Sequence, residues 1–298
     1  HVDMKTGRPV ETPTARLFDG ENVSLPSNAG AHNWHPMSYH PGTGLVYIPA
    51  MHIPIEFLEP THERDRKPKQ GYWNTGFDRI ANMPPNIPNL NEVIDEAYSS
   101  RLLAWDPLKG EPRWTSESER LGGGGVLSTA GNLVFQGSGE AQFRAFNAAT
   151  GDILWTHDTQ TLAMAAPLPY ALDGDQYVAV AVGFGGGAAA EAGPILHHRH
   201  IPNLSRVLVY KLDGKATLPP VPEWNRELTK PEPVTASVEV LEKGKIIYQR
   251  HCSCCHGDGM RTGGLTPDLR YSGSAVHEQW QALVREGVLP ARGMVSSA

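Results

Sequence analysis

The chain has 298 residues, of which 26 are basic and 32 acidic, and its formal net charge is −6. This length allows one large domain or two smaller ones, and the acidic balance gives no indication of nucleic-acid binding. No apolar run reaches the roughly 20 residues that a transmembrane helix requires. The 31 glycines and 25 prolines, with only 8% aromatic residues, are typical of a turn-rich β protein followed by a small helical one.

A repeated pattern organises the chain up to residue 214. Residues 104–114 and 145–155 both read Ala, aromatic, Asp or Asn, three residues, Gly, acid, two residues, Trp, at an offset of 41 residues. Partial copies lie at residues 2–10 and 210–215. Asp or Asn followed by Gly four residues later predicts a tight turn between strands, and the terminal Trp is placed to dock between neighbouring sheets. A repeat of this length and content predicts β-propeller blades.

Four apolar runs between the turns are strand candidates: 44–49, 132–136, 177–182 and 207–210. Because they are nearly all apolar, they are expected to be inner strands buried on both faces. Residues 52–100 break the repeat and are rich in Pro, Asn and charge, so they are interpreted as a long inter-strand insertion. Long ordered loops are often functional, although this one would also serve to cover a blade face.

A proline-rich stretch separates the repeats from the end of the chain. Residues 215–236 contain Pro219, Pro220, Pro222, Pro231 and Pro233, which is typical of a semi-rigid linker. The predicted organisation is therefore propeller blades over 1–214, a linker over 215–236, and a separate domain over 237–298.

The last domain carries the motif Cys252-Ser253-Cys254-Cys255-His256. Cys-x-x-Cys-His is the signal for covalent attachment of haem c: Cys252 and Cys255 would form thioethers with the haem vinyl groups, and His256 would ligate the iron. Met294, in a loop rich in Gly and Pro, is the predicted second axial ligand, a role in which methionine raises the reduction potential. Ser237 is expected to cap a helix that ends before Cys252, and residues 277–287 to form a second helix. This pattern is typical of an all-α class I cytochrome c.

Zinc binding or a disulfide are the alternative roles for these cysteines. Structural zinc usually takes four ligands at matched spacing, and the chain has no second pair of cysteines, so haem is favoured. Cys254 is expected to have no catalytic role. The chain begins with His1 and stops at Ala298, before the helix that normally closes a class I cytochrome, which favours a fragment at both ends.

The combination of tryptophan-docking repeats, a proline-rich linker and a cytochrome c domain resembles the type II quinohaemoprotein alcohol dehydrogenases, which carry pyrroloquinoline quinone (PQQ). The segments that carry the resemblance are residues 31–38, 43–49, 101–107, 127–137 and 178–186. The resemblance implies an eight-bladed propeller with PQQ near its axis and Ca²⁺ beside it. It also implies that Asn33, Trp34 and Val182 contact PQQ, Val182 through its backbone or its side chain. Glycines 122–125 and 183–187 would let the backbone approach a flat cofactor.

The reaction implied by the resemblance is oxidation of a small alcohol to an aldehyde or ketone. Electrons would pass from PQQ through haem c to a soluble acceptor, such as a blue copper protein or a cytochrome, in the bacterial periplasm. The segments that supply the family's catalytic aspartate and most Ca²⁺ ligands have no match in this chain, so the fragment is expected to be inactive alone. Phe184 also stands where the family usually has Trp.

Three other functions remain open at this point. The first is a PQQ enzyme for polymeric, cyclic or alkaloid alcohols. The second is a non-catalytic protein in which the propeller positions a cytochrome for electron transfer. The third is a reductase with a second haem, for which His32 and His35 are too few histidines near the axis.

Overall fold

A computed structural model describes residues 2–11, 22–27, 29–57, 67, 90–117, 119–120, 122–183, 201–223, 227–230, 233–257, 260 and 266–288. In these ranges, antiparallel sheets with one short helix occupy the chain up to residue 211, and the elements from residue 238 onward are all helical. This is the predicted order of a mainly β part followed by an α part, and the prediction is confirmed.

Three of the sheets are successive blades, each with its strands in sequence order. The first blade consists of β2 (Ser38–His40), β3 (Leu45–His52), β5 (Ser99–Asp106) and β6 (Glu111–Thr115), with β7 (Glu119–Arg120) beside β5. The second consists of β8 (Val126–Ser128), β9 (Leu133–Gly137), β10 (Gln142–Asn147) and β11 (Ile153–Asp158). The third consists of β12 (Leu168–Leu172), β13 (Asp175–Val182) and β14 (Arg206–Lys211). A small sheet pairs β1 (Asn22–Ser24) with β4 (Ile55–Phe57), and helix α1 (Leu90–Ala97) precedes β5.

The repeated turn has the predicted geometry. The Asp106 carboxylate accepts hydrogen bonds from the backbone N–H groups of Leu108 and Lys109 in the same turn. The N–H of Gly110 donates to the Asp106 carbonyl at 2.9 Å. Asn147 and Gly151 form the same turn in the second blade. Both glycines have a positive φ, the backbone region that glycine adopts without steric cost. The strand register also shifts at the equivalent point of both repeats.

The hydrophobic core lies between the blades. One cluster joins the first and second blades: Leu45, Tyr47, Leu102, Ala104, Val126, Val134, Phe146 and Ala148. A second cluster joins the second and third: Phe143, Ala163, Val178, Val180, Val182 and Leu208. Burial of each large side chain contributes on the order of 1.5–3 kcal/mol, so these two interfaces hold the blades face to face.

Trp114 docks between blades as predicted. Its Nε1–H donates to the Ala148 carbonyl at 3.0 Å, and a Cβ at Gly151 would lie 2.7 Å from the indole ring. Glycine is therefore required at 151 for the ring to approach. The equivalent Trp155 is 39% exposed and packs edge-on against Tyr210 at 5.3 Å.

The expectation that the apolar strands are buried on both faces fails for two of the four, β13 and β14, whereas β3 and β9 alternate buried with half-buried residues over the predicted runs. Along β13 and β14, buried residues alternate with more exposed ones, and Val207 and Val209 are exposed. Successive side chains of a strand point to opposite faces of the sheet, and in the described chain the third blade packs through one face. Most of the predicted insertion at 52–100 lies outside the described residues, so its role stays a prediction.

The helical part begins as predicted. The Ser237 side chain accepts a hydrogen bond from the Val240 N–H and caps α2 (Val238–His251), which ends at Cys252. It is followed by α3 (Ser253–His256), a 3-10 turn (Leu269–Tyr271), α4 (Ser274–Glu278) and a π-helical turn (Gln281–Glu286). The predicted second helix thus starts earlier than expected and is interrupted at Gln279. Gly287 ends it in a left-handed conformation.

The start of the predicted linker packs where the second and third blades meet. Leu218 contacts the second core cluster, and the Gln160 side-chain amide donates to the Pro219 carbonyl at 3.1 Å. The predicted domain boundaries remain a prediction. None of the helices in the described ranges is both long and apolar enough to cross a bilayer.

Candidate haem and cofactor sites

The two cysteines of the motif stand three residues apart at a helix junction. Cys252 ends α2 and Cys255 lies in α3. In helical geometry, positions i and i+3 share a face. Neither Cys252 nor Cys255 is in a disulfide; Cys252 is half-buried and Cys255 is exposed. Burial, and to a lesser degree Cys255, raises the pKa of the Cys252 thiol. The arrangement places two thiols where one bound group could reach both.

The ring of His256 has a fixed orientation. Its Nδ1 lies 2.9 Å from the carbonyl oxygen of Pro267. A carbonyl only accepts hydrogen bonds, so Nδ1 is the donor and carries the proton. The lone pair is therefore on Nε2, the nitrogen available to a metal. Histidine ligands are commonly held in this way by a second hydrogen bond.

Side chains from both flanks hold the attachment turn. The Tyr248 hydroxyl lies 2.6 Å from the Gly257 carbonyl oxygen and 3.2 Å from that of His256. The Thr266 hydroxyl donates to the Cys255 carbonyl. These are carbonyls at the end of a short helix, which have no partner within the helix. The turn that presents the thiols and the imidazole is therefore fixed at three successive residues.

The helical part leaves apolar side chains exposed that a large apolar group could cover. Of the described residues between 233 and 288, only Ser253 and Gly257 are buried. Apolar side chains are exposed instead: Leu241, Ile247, Met260, Val276 and Trp280. An apolar surface of this kind favours a partner that removes it from water. Together with two thiols and an oriented imidazole, it fits a covalently bound haem.

Two predictions about this site fall outside what the structure describes. Met294 lies beyond the described residues, so its role as axial ligand stays a prediction. The Cys254 side chain is also outside them, so the expectation that it has no catalytic role stays a prediction. Gly244 lies in the interior of α2. No atom of the described residues lies within 4 Å of a Cβ built there.

Asn33 and Trp34 lie in the loop that leads into the first blade, and both are exposed. The Asn33 side-chain amide donates one hydrogen bond to the Ala29 carbonyl at 2.8 Å, which leaves its second N–H available. The Trp34 indole is 58% exposed, and one face stacks on His35 with ring centroids 4.0 Å apart. Its Nε1–H has no hydrogen bond to the described part of the chain. Both residues therefore still have N–H groups to offer a ligand.

Val182 is placed differently. Its side chain is 4% exposed and belongs to the core cluster between the second and third blades. Of the two contacts expected for Val182, the side-chain contact is therefore disfavoured. The following residue, Gly183, has a positive φ, and its N–H donates to the Leu162 carbonyl at 2.7 Å.

Two glycines of the run 122–125 lie close to other segments of the chain. A Cβ at Gly124 would lie 2.1 Å from the Ala163 carbonyl oxygen, and one at Gly125 would lie 2.9 Å from Pro36. A Cβ at Gly137 would also lie very close to Ala163. In the described structure these glycines admit neighbouring segments of the chain itself, and the approach of the glycine run to a flat cofactor stays a prediction.

These close approaches gather loops from all three blades. The Val126 N–H donates to the Pro36 carbonyl at 2.9 Å, and the Gly125 N–H to the Met164 carbonyl at 3.3 Å. Ala163 forms a parallel bridge with Gly183. Sequence reasoning gave no role to the buried segment 161–163 or to His35. No motif marks the first, and a histidine beside Trp was visible but not distinguishable from a core residue.

Glu119 and Arg144 form a second polar feature between blades, 2.7 Å apart and largely buried. Burial raises the pKa of Glu119, and Arg144 opposes that rise. In the described ranges, no group of three or more His, Cys, Asp or Glu side chains is arranged to hold a metal ion. The ion pair is a link between blades, and calcium binding stays a prediction.

In comparison with known protein families, two family models match separate parts of the chain. Residues 3–178 match the family of the glucose/ethanol/alcohol dehydrogenase β-propeller domain, and residues 239–297 match the cytochrome c oxidase, cbb3-type, subunit III family. The quinohemoprotein alcohol dehydrogenase ADH IIB of Pseudomonas putida is 42% identical over 99% of this chain.

Two solved structures superpose on almost the whole chain. The quinohemoprotein alcohol dehydrogenase ADHIIG of Pseudomonas putida HK5 superposes with a TM-score of 0.87 at 35% identity, covering 99% of this chain and 43% of that one. The enzyme of Comamonas testosteroni gives a TM-score of 0.73 at 32% identity, covering 99% and 42%. The chain spans 41% of the length of the ADH IIB sequence. Because the family model of the glucose/ethanol/alcohol dehydrogenase β-propeller domain matches more than half of its residues, the chain belongs to that family, and almost all of the chain is similar to quinohaemoprotein alcohol dehydrogenases.

Proposed function

We propose that the protein that contains this chain oxidises alcohols to aldehydes or ketones and passes the electrons through haem c. The observation that carries the proposal is the attachment turn: two cysteines that are not in a disulfide stand beside an imidazole whose Nε2 is left available by the hydrogen bond from Nδ1 to Pro267. The family match over nearly the whole chain supports pairing that turn with a PQQ-binding propeller.

The blades would contribute to PQQ binding through hydrogen-bond donors. PQQ supplies a quinone that takes two electrons from the alcohol. Asn33 and Trp34 would donate their available N–H groups to its oxygen atoms, and Val182 would contribute through its backbone. The exposed indole and the buried, unpartnered Nε2 of the adjacent His35 support a ligand at this edge.

The helical part would hold the second redox group. Cys252 and Cys255 would bind haem covalently, and His256 Nε2 and Met294 would ligate its iron. The exposed apolar side chains of the helices would be covered by the macrocycle. Held by Cys252, Cys255 and His256, haem c would supply one-electron transfer.

The remaining roles belong to the whole protein. The catalytic base and most Ca²⁺ ligands would lie outside this segment. A soluble blue copper protein or cytochrome would accept the electrons, in the bacterial periplasm, because haem c is attached outside the cytoplasm. The blades would occupy 1–214, the linker 215–236 and the cytochrome 237–298.

The test is reconstitution of the natural protein at its full length with PQQ and Ca²⁺. Addition of a primary or secondary alcohol should reduce the haem, observed as a change in its absorption band. Failure to bind PQQ would overturn the enzyme proposal and favour a propeller that positions a cytochrome without catalysis.

The axial ligand has its own test. Met294→Ala should change the absorption spectrum that reports sulfur ligation of the oxidised iron, whereas Met260→Ala serves as a matched control and should not. An unchanged spectrum in the first variant would remove Met294 as the ligand.

A further inference from the structure

Within the described residues, His35 Nε2 is the one buried side-chain nitrogen or oxygen that lacks a hydrogen-bond partner. The side chain is only 7% exposed, and its ring stacks on Trp34 at an interplanar angle of 24°. Buried polar atoms almost always have a partner in native proteins. An orphaned nitrogen beside an exposed indole therefore indicates an atom supplied by a ligand.

The imidazole is held neutral. Burial, and then the charge of His32, lower the pKa of His35. A neutral imidazole offers one N–H donor and one acceptor. An N–H left unpaired in the interior costs on the order of 1–3 kcal/mol, so a ligand oxygen that meets Nε2 removes an existing penalty.

A second histidine of the same blade provides the contrast. His40 is also 7% exposed, but both of its nitrogens have partners. Nε2 lies 2.9 Å from the Thr129 carbonyl oxygen, and Nδ1 accepts from the Thr43 N–H at 3.1 Å. Both ring nitrogens of His40 thus have hydrogen-bond partners, whereas Nε2 of His35, next to the residues predicted to bind PQQ, has none in the described part of the chain.

We propose that His35 is a positioning residue for Trp34 and that its Nε2 donates a hydrogen bond to an oxygen atom of bound PQQ. The stacked imidazole fixes the plane of the indole, because two flat rings in contact restrict each other's rotation. The inference rests on the proposed function and extends it to a residue that had no role in the sequence prediction.

The experiment measures two quantities for the natural protein at its full length. The first is the dissociation constant for PQQ, from quenching of protein fluorescence, and the second is the melting temperature without PQQ. The variants are His35→Phe, which keeps a flat ring and removes Nε2, His35→Gln, which keeps an N–H donor, and His40→Phe as the matched control.

His35→Phe is expected to raise the dissociation constant about tenfold, the effect of one lost hydrogen bond. Its melting temperature without PQQ should stay the same or rise, because an unpaired polar group has been replaced by an apolar one. His35→Gln should recover part of the affinity. His40→Phe should show the reverse pattern, with a lower melting temperature and unchanged affinity.

Equal affinities for wild type and His35→Phe would overturn this inference alone, and would assign Nε2 to an ordered water. Absence of PQQ binding by the wild-type protein would overturn the proposed function and this inference with it. If His35→Phe does not fold, His35→Leu removes the same nitrogen, and the same expectations for PQQ affinity and melting temperature apply to it.

Discussion

The blades and the helical part differ in how far they bury their own apolar side chains. The blades bury aromatic side chains completely against one another, as Tyr47 and Phe143 show. In the described helical part, no apolar side chain is buried, and Trp280 is 49% exposed. One region builds its core from its own residues, and the other presents a surface for a core that a cofactor would supply. The stability of the helical part should therefore depend on cofactor attachment, and that of the blades should not.

The largest expected effect tests this difference directly. Replacement of both Cys252 and Cys255 by alanine should abolish covalent haem and unfold the helical part, because its apolar residues lose the group that covers them. The β-sheet signal in circular dichroism should persist while the helical signal falls. Cys254→Ser is the matched control and should retain haem. Concerted loss of both signals would show that the two regions are not independent.

The second prediction concerns the core that the blades build for themselves. Trp114→Ala should destabilise the propeller by about 3 kcal/mol, since a docked indole and its hydrogen bond to Ala148 are lost. Trp155→Ala, at the equivalent repeat position, should cost markedly less because that ring is more exposed. Denaturant unfolding measures both. Equal losses would show that docking, rather than burial, sets the contribution.

A smaller effect is expected at the attachment turn. Tyr248→Phe removes the hydroxyl that lies within hydrogen-bond distance of the carbonyl oxygens of His256 and Gly257. The haem-bound helical part should lose about 1–2 kcal/mol of stability, because the carbonyl that accepts the hydroxyl proton loses its partner. Unfolding followed by haem absorbance gives the value. No change would mean that the thioethers alone hold the turn.

The smallest effect is a pH dependence that arises in the blades. The pKa of His35 is lowered from an ordinary value of 6.5, chiefly by burial. Below pH 6.5 the unfolded chain therefore binds more protons than the folded one. Stability should be complete above pH 6.5 and decline as the pH falls towards the folded pKa. Melting temperatures on either side of pH 6.5 should diverge between wild type and His35→Phe, and parallel curves would contradict the assignment.

The repeated motif allowed the blades to be predicted because its signal is local. Asp106 with Gly110, and Asn147 with Gly151, specify the same turn from five consecutive residues. The cysteine motif is equally local, and so is the Ser237 cap. These features needed no knowledge of what lies far along the chain.

The contacts between distant segments could not be predicted in the same way. Gly124 is required by Ala163, and His40 is satisfied by Thr129, in each case through backbone atoms that carry no sequence signature. Val182 is similar, because its side chain joins the core only through the third blade's packing. The sequence therefore revealed the glycine-rich segments but not which segments of the chain they contact.

The joint between the first two blades has an unusual resistance to point mutation on one side. The Tyr47 hydroxyl and the Trp114 indole N–H donate to the same carbonyl, that of Ala148, at 2.8 and 3.0 Å. A backbone oxygen is present whichever side chain occupies position 148, so no exchange there deletes the acceptor. A substitution of Tyr47 or Trp114 in the first blade removes a donor, whereas a substitution of Ala148 in the second blade can only introduce a steric clash. Recombination of blades between relatives would therefore need to keep both donors, Tyr47 and Trp114, in the first blade. The second blade supplies the acceptor with any residue at position 148 that fits the available space.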